Sequence, residues 1–396
     1  MTDQTPDHGG QRAPAGFGRR PAEPVRSHFV YDGRLGELYG IFIVNFLLTI
    51  VTLSIFRFWG KTRVRRYLWA HTSLDGDRFE YTGTGGELFV GFIIVMIAYV
   101  IGSIGIQILG IFVEPESPVL IAIQMCAAFL ILYLTFVAQY AAQRYRLTRT
   151  LWRGISGGMT GSAWSWGLKG MWFSLLSLLS LTLAWPWAQM RLIDDRLNNS
   201  YFGDAKASIT TSSKPLYAPY LTGILCTLLG TATIIFGFLA IYSRVRYGNW
   251  DAFITGMGAP LPTEPPELQI SFHWWPTLLW MFFVGYFGLI LIGAVAMSWF
   301  YVAMARQIAS KLELGGLRFA TPLTPSALIN RYVWNILIIV FTLGLGFPIA
   351  VHRTMQFLSR NIEVLGEIEG SEITRADLPR PKFGEGLLEA FDPGIL

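Results

Sequence analysis

Seven stretches of this chain contain no Asp, Glu, Lys or Arg: residues 38–56, 88–113, 117–143, 170–190, 215–243, 268–305 and 332–351. An α-helix rises 1.5 Å per residue, so about 20 apolar residues suffice to cross roughly 30 Å of hydrocarbon. Each run meets or approaches that length. A soluble core helix has no reason to be so long and so free of charge. Composition agrees, with 52% hydrophobic and only 14% charged residues, where soluble domains carry about a quarter charged. The fold class expected is therefore an all-α integral membrane protein, a helical bundle of seven hydrophobic segments. Their expected bounds are 38–56, 88–112, 118–141, 170–190, 216–242, 277–304 and 332–351.

Outside this membrane domain, taken as 28–375, residues 1–27 read as a disordered tail and 376–396 as a cytoplasmic one. The first 27 residues lack the apolar core of a cleavable signal peptide. Cys126 and Cys226 both sit in apolar runs and read as small buried side chains rather than a disulfide.

The polar stretches repeat. "HFVYDGRLGELY" at 28–39 returns as "RFEYTGTGGELF" at 78–89, so that Phe29, Tyr31, Gly33, Glu37 and Leu38 fall on Phe79, Tyr81, Gly83, Glu87 and Leu88. A shift of 128 carries Leu48, Thr52, Leu53, Ser54 and Arg63 onto Leu176, Ser180, Leu181, Thr182 and Arg191; a further 162 carries Arg191 onto Arg353. The segments then order as A-B-B-A-B-B-A, with short β-hairpin-like turns at the interface. In each doorstep alternating aromatics suit a short strand, glycines a turn, and the Glu a helix start. Capping explains Glu37 and Glu87 better than a paired-carboxylate site does.

The candidate sites are of two kinds. Lys61, Arg63, Arg65, Arg66, Arg191 and Arg353 lie among aromatics just past the A segments. Such groups anchor a helix at the interface or grip the phosphate of a lipid headgroup. Asn45, Asn335, Gln107, Gln124 and Gln139 lie within the apolar runs, where polar groups are costly and either bond between helices or line a pathway. Asp194 and Asp195 read as structural. The five histidines are scattered, so no metal, cofactor or catalytic constellation is expected. The net charge of +5 flanks the hydrophobic runs; it points to anionic lipids as partners and not to nucleic acid.

"FWGKTRVRRYLW" followed by "GDRFEYTGTGGELF", with the tail "GEGLLEAFD" at 384–392, resembles the YjgN-like family of bacterial inner-membrane proteins, a domain of unknown function. The resemblance implies a multi-pass protein of the cytoplasmic membrane and carries no catalytic or ligand residues. Three classes of function stay open: transport or handling of a lipid or small solute, a scaffold or partner of another membrane protein, and a lipid-acting enzyme. The first leads on the strength of the repeats and the basic-aromatic patches.

Charge decides sidedness. If the A segments enter and leave by one face, the basic stretches 57–78, 144–153, 191–214 and 306–331 gather on the cytoplasmic side with the C-terminus. If they span, those stretches divide between both faces. Single cysteines at Ser73 and Ser212, in a background lacking Cys126 and Cys226, test this on intact spheroplasts. Neither is expected to react with an impermeant thiol reagent until the membrane is opened; labelling of either from outside rejects the one-sided arrangement.

Overall fold

The computed structural model describes residues 26–114, 117–247 and 275–366. Most of the expected N-terminal tail, the expected C-terminal tail and most of the 247–276 loop lie outside the described residues.

The seven-segment all-α bundle is not what this chain builds. Ten short strands close into an antiparallel barrel in the order β1-β10-β9-β8-β7-β6-β5-β4-β3-β2. These are β1 (Arg26–Tyr31), β2 (Thr72–Leu74), β3 (Asp77–Tyr81), β4 (Thr150–Trp152), β5 (Ile155–Met159), β6 (Ser200–Phe202), β7 (Ala205–Ser208), β8 (Glu313–Leu314), β9 (Leu317–Ala320) and β10 (Glu363–Leu365). The interfacial turns expected from the doorsteps are thus pieces of one sheet. Its seam joins the two ends of the chain, with Arg26 opposite Leu365 and His28 opposite Glu363.

Helices leave and re-enter this barrel in a fixed order. Between successive strand pairs run α1 (Leu35–Val51) with α2 (Arg57–Ala70), α3 (Gly85–Phe112) with α4 (Pro118–Arg149), and α5 (Ala163–Leu179) with α6 (Trp185–Asn198). Then come α7 (Tyr217–Tyr247), α8 (Trp275–Ala296), α9 (Ser298–Lys311), α10 (Pro325–Phe341) and α11 (Phe347–Asn361). Among the described residues three helices are long and apolar enough to cross a membrane. A fourth candidate span is the pair Gly285–Ala296 and Ser298–Lys311, bent by 42° at Met297.

The three A segments do something else. Helices α1, α5 and α10 have 17 residues each, about 25 Å of helix, short of the roughly 30 Å of a hydrocarbon core. Each then reverses into α2, α6 or α11. In the first, Asn45 Nδ2 donates to the Gly60 carbonyl at 3.2 Å and the Tyr67 hydroxyl to Glu37 at 3.2 Å, pairings that only antiparallel helices allow. Asn335 Nδ2 makes the same reach to the Ala350 carbonyl, at 3.4 Å. In the middle hairpin Phe173 stands in place of Asn and its ring packs on Trp187.

One turn chemistry makes all three reversals. Leu53 and Ser54, Leu181 and Thr182, and Leu343 and Gly344 hold φ between 50° and 89°. The N–H of Ser54, Thr182 or Gly344 returns to the carbonyl five residues back, at 2.7, 2.7 and 2.8 Å. The hydroxyl of Thr52, Ser180 or Thr342 accepts from the first free N–H of the next helix, at 2.9, 2.9 and 2.6 Å. The groups freed by breaking the helix are thereby satisfied without water. Arg63, Arg191 and Arg353 each stand seventh in the returning helix.

The barrel encloses a filled core. Leu74, Trp152, Leu317 and Val364 are buried there, with Phe29, Phe79, Phe202 and Phe319 packed on them. Successive rings Phe29, Phe79, Trp152 and Phe202 lie 6.0, 6.3 and 6.0 Å apart. Side chains occupy the axis, so the barrel is no pore. The doorstep glycines follow from the same packing. The Tyr31 side chain lies over Gly33 and the Tyr81 side chain over Gly83, where an added Cβ would collide with the phenol in each case.

Left-handed backbone costs a non-glycine residue about 1–2 kcal/mol. Ser54→Gly, which copies Gly344 of the third hairpin, is therefore expected to raise stability by up to about 1 kcal/mol after the entropy of the added glycine. Asn45→Leu, which removes a buried cross-helix bond, is expected to lower it by about 1–3 kcal/mol. Thermal unfolding of both variants in one detergent checks the pair; a shift of the same sign in both would contradict the turn and the lock assigned here.

Candidate functional site

The hairpin tips are bare. Leu53, Leu181 and Leu343 are 88%, 84% and 93% exposed, and Val51, Leu179 and Phe341 beside them are exposed as well. Large apolar side chains so placed need an apolar surrounding. Nearer the barrel the exposed side chains become aromatic. Trp59 and Trp299 lie 11 and 12 residues before the ends of α2 and α9; Trp172 and Trp334 lie nine residues into α5 and α10. At 1.5 Å per residue these four are about 14–18 Å from the barrel-side helix ends, while a fifth exposed Trp, Trp164, stands at the barrel-side start of α5. A band of exposed Trp is the usual mark of the membrane–water interface.

The basic residues lie between that band and the barrel, and they separate into distinct roles. Arg65 is fully buried, its Nη1 donating to the Tyr81 hydroxyl at 3.4 Å and its guanidinium over that ring. It is part of the joint between α2 and β3. Arg66 is exposed but donates to the Gly83 carbonyl at 3.2 Å, and Lys61 is half-buried and engaged within the protein. Arg63 reaches Asn45 Oδ1 at 3.5 Å and lies over the Phe56 ring. Arg191 is exposed, and Arg353 is half-buried with its Nε enclosed and without a partner. The structure does not bring the six into one patch, because they ride on three separate hairpins.

Of the polar groups in the apolar runs, Asn45 and Asn335 are the hairpin locks described above. Gln107, Gln124 and Gln139 point outward from α3 and α4. Glu87 accepts from the Tyr145 hydroxyl at 2.5 Å and pairs with Arg149 at 2.6 Å, while Thr84 caps its helix. Asp194 accepts from Thr211 and Asp195 pairs with Lys169 at 2.9 Å. Where α11 meets the barrel, the His352 ring lies against Tyr31. Burial pushes the imidazole down and the Tyr31 phenol up, so both stay uncharged near neutral pH. Among the described residues no three His, Cys, Asp or Glu side chains come together as metal ligands.

Sequence reasoning passed over a concavity between the second and third hairpins. A cavity of about 660 Å3 opens among the tip of the second hairpin, α7, the bend between α8 and α9, and α10. Thr182, Tyr220, Thr227, Gly293, Met297 and Tyr332 line it, with no charged side chain among the lining residues. The Tyr220 hydroxyl donates to the Thr182 carbonyl at 3.0 Å and that of Thr227 to Gly223 at 2.8 Å, so the walls are mainly apolar, with the hydroxyls of Thr182, Tyr301 and Tyr332 as their remaining polar groups. Arg331 stands beside it, its guanidinium 4.6 Å from the Tyr332 ring centre, its Nε enclosed and unpaired. The available signal was that single cation at the edge of the last apolar run.

Bilayer-length helices, half-length apolar hairpins and a Trp band together define an integral membrane protein. The chain belongs to the family described as bacterial protein of unknown function, DUF898, whose profile matches residues 26–390. It is 22% identical to the inner membrane protein YjgN of Salmonella typhimurium (strain LT2), over 88% of this chain and 91% of that one. It is likewise 22% identical to the inner membrane protein YjgN of Escherichia coli O157:H7, over 94% and 96% of the two chains. With the Escherichia coli K12 protein of the same name, 76 residues are 41% identical, 19% of each chain. No solved structure matches. The YjgN-like resemblance is thus shown, and the chain is an inner membrane protein.

The division among the arginines is testable. Arg65→Gln removes a buried, hydrogen-bonded charge and is expected to cost about 2–3 kcal/mol, whereas Arg191→Gln should stay within about 0.5 kcal/mol. Thermal unfolding in detergent distinguishes them, and equal losses would refute the separation.

Proposed function

We propose that this protein handles bilayer lipid at the leaflet nearest the barrel. One observation carries the reading: three helical hairpins of about 25 Å end in bare leucines and return; with the Trp band at the interface their tips reach only about 10 Å into the hydrocarbon, within one leaflet. A protein that fills one leaflet in three places forces the bilayer to thin or bend around it. Charge counting puts the barrel on the cytoplasmic side, where Lys and Arg near segment ends resist translocation. On this reading the three hairpins are copies of one unit. Arg63, Arg191 and Arg353 then lie at phosphate depth and hold anionic headgroups around the perimeter. The filled barrel core speaks against passage of a solute along its axis.

A scaffold role is the second reading, and a specific observation favours it. Gln107, Gln124 and Gln139 face outward on α3 and α4, where hydrocarbon gives an amide no partner and another membrane protein would.

Proteoliposomes containing a fluorescent-headgroup phospholipid, bleached from outside by an impermeant reductant, separate the two. Lipid handling is expected to bring the inner-leaflet probe outward at least tenfold faster than in protein-free vesicles. A rate equal to that of empty vesicles rejects lipid translocation and leaves the scaffold.

A further inference from the structure

The cleft between the second and third hairpins has walls, depth and one cation, and together these specify an occupant. At about 660 Å3 it falls within the roughly 300–1,000 Å3 of ordinary ligand sites. Its lining carries no charge, and its Tyr220 and Thr227 hydroxyls are spent on the protein itself, so apart from the hydroxyls of Thr182, Tyr301 and Tyr332 it offers a polar solute little to replace its water. The cleft extends from the hairpin tip at Thr182 towards Tyr332, which stands seven residues into α10, about 10 Å from its barrel-side end. One end thus lies at tip level and the other on the barrel side of the Trp band.

Behind Tyr332 at that second end, outside the lining itself, Arg331 packs on the Tyr332 ring. Among the described residues it has no ion pair; its guanidinium lies 4.6 Å from the Tyr332 ring centre and 4.9 Å from that of Phe357, and its Nε is enclosed with no acceptor. Its two Nη groups have no hydrogen bond or ion pair among the described residues, and a phosphate oxygen is an acceptor suited to them. We infer that this cleft takes one acyl chain of an anionic bilayer phospholipid, the chain running towards Thr182 and the phosphate held at Arg331. The inference rests on the lipid-handling reading and deepens it by naming the site. A scaffold with a resident lipid would share the site without moving lipid.

Glycine positions supply the test. A Cβ at Gly293, on the cleft wall, meets nothing within 4 Å, and neither does one at Gly237, on α7 but outside the lining. Gly293→Phe therefore fills the cavity, and Gly237→Phe adds the same ring elsewhere. The full chain is reconstituted in nanodiscs of phosphatidylethanolamine and phosphatidylglycerol containing phosphatidylglycerol with a diazirine near the end of one acyl chain. After illumination, labelled peptides are mapped by mass spectrometry. Peptides covering 220–228 and 293–301 are expected to label at least fivefold above those of α3. Gly293→Phe, and independently Leu228→Trp from the facing wall, are expected to bring them down to the α3 level, while Gly237→Phe leaves them unchanged.

Labelling that persists in both cleft-filling variants, or is even across the helices in the unaltered chain, overturns the proposal. The phosphate end is tested with a phosphatidylcholine probe of the same chain. Arg331→Gln is expected to lower the preference for phosphatidylglycerol about fivefold, the worth of one charge near the surface; an unchanged preference removes Arg331 from the site. Cleft-specific labelling without lipid translocation would sink the functional reading and leave this site standing.

Discussion

Backbone N–H and C=O groups cannot be left bare in hydrocarbon, and that one requirement governs every place where this chain changes direction. A loop within the bilayer leaves several donors and acceptors open, each costing several kcal/mol. At the three hairpin tips the solution is local. A left-handed pair returns one N–H to the carbonyl five residues back, and a Thr or Ser hydroxyl accepts from the next helix. At the interface the solution is global. Strands of two to six residues are too short to be stable alone, and closure into a ring leaves none of them an unpaired edge. The ring requires its hairpins to lie at one level, so every helix joined to a strand begins or ends there. The half-length of α1, α5 and α10 follows from a turn that needs no water to form.

Much of this was legible in the residues, though not in the way hydropathy reads them. Charge-free runs identify the membrane and, for α3, α4 and α7, the spans. The same measure misreads 38–56, 170–190 and 332–351 as crossings, because Thr52, Ser180 and Thr342 look no different from polar residues in a continuous helix. The register shifts did mark them. Thr52-Leu53-Ser54 fell on Ser180-Leu181-Thr182, but a recurrence does not say that its residues sit at φ above zero. The barrel was out of reach for a different reason. Its strands are shorter than any periodicity window, and β1 pairs with a strand more than 300 residues away. The doorstep Phe and Tyr showed alternation, hence a strand, but alternation names no partner.

The candidate sites divided along similar lines. Helical spacing puts Arg63 and Arg66 on one side and Arg65 with Lys61 on another, but it does not say that Arg65 turns inward to Tyr81 while Arg63 turns back to Asn45. Arginine density alone cannot separate a cation that builds the joint between helix and barrel from one that faces phosphates. The cleft was invisible because its walls come from four helices far apart in sequence and from a 42° bend at Met297 that nothing in "AVAMSWF" announces. Tertiary placement, rather than residue type, makes Thr182 and Gly293 neighbours.

A route for lipid through such a structure has to run outside the barrel. The aromatic core from Phe29 to Phe202 blocks the axis, and the locks at Asn45 and Asn335 hold two of the hairpins shut against themselves. The middle hairpin differs, with Phe173 on Trp187 in place of an amide lock, and it is the tip of this hairpin that borders the cleft. An amide bond across two helices fixes one geometry, because moving it strands a buried donor. In the middle hairpin the bond across the two helices is made elsewhere, by Trp166 Nε1 donating to the Leu192 carbonyl at 3.3 Å, with Lys169 paired to Asp195 at 2.9 Å. All three hairpins are thus held across their own helices, and the cleft lies between two closed units.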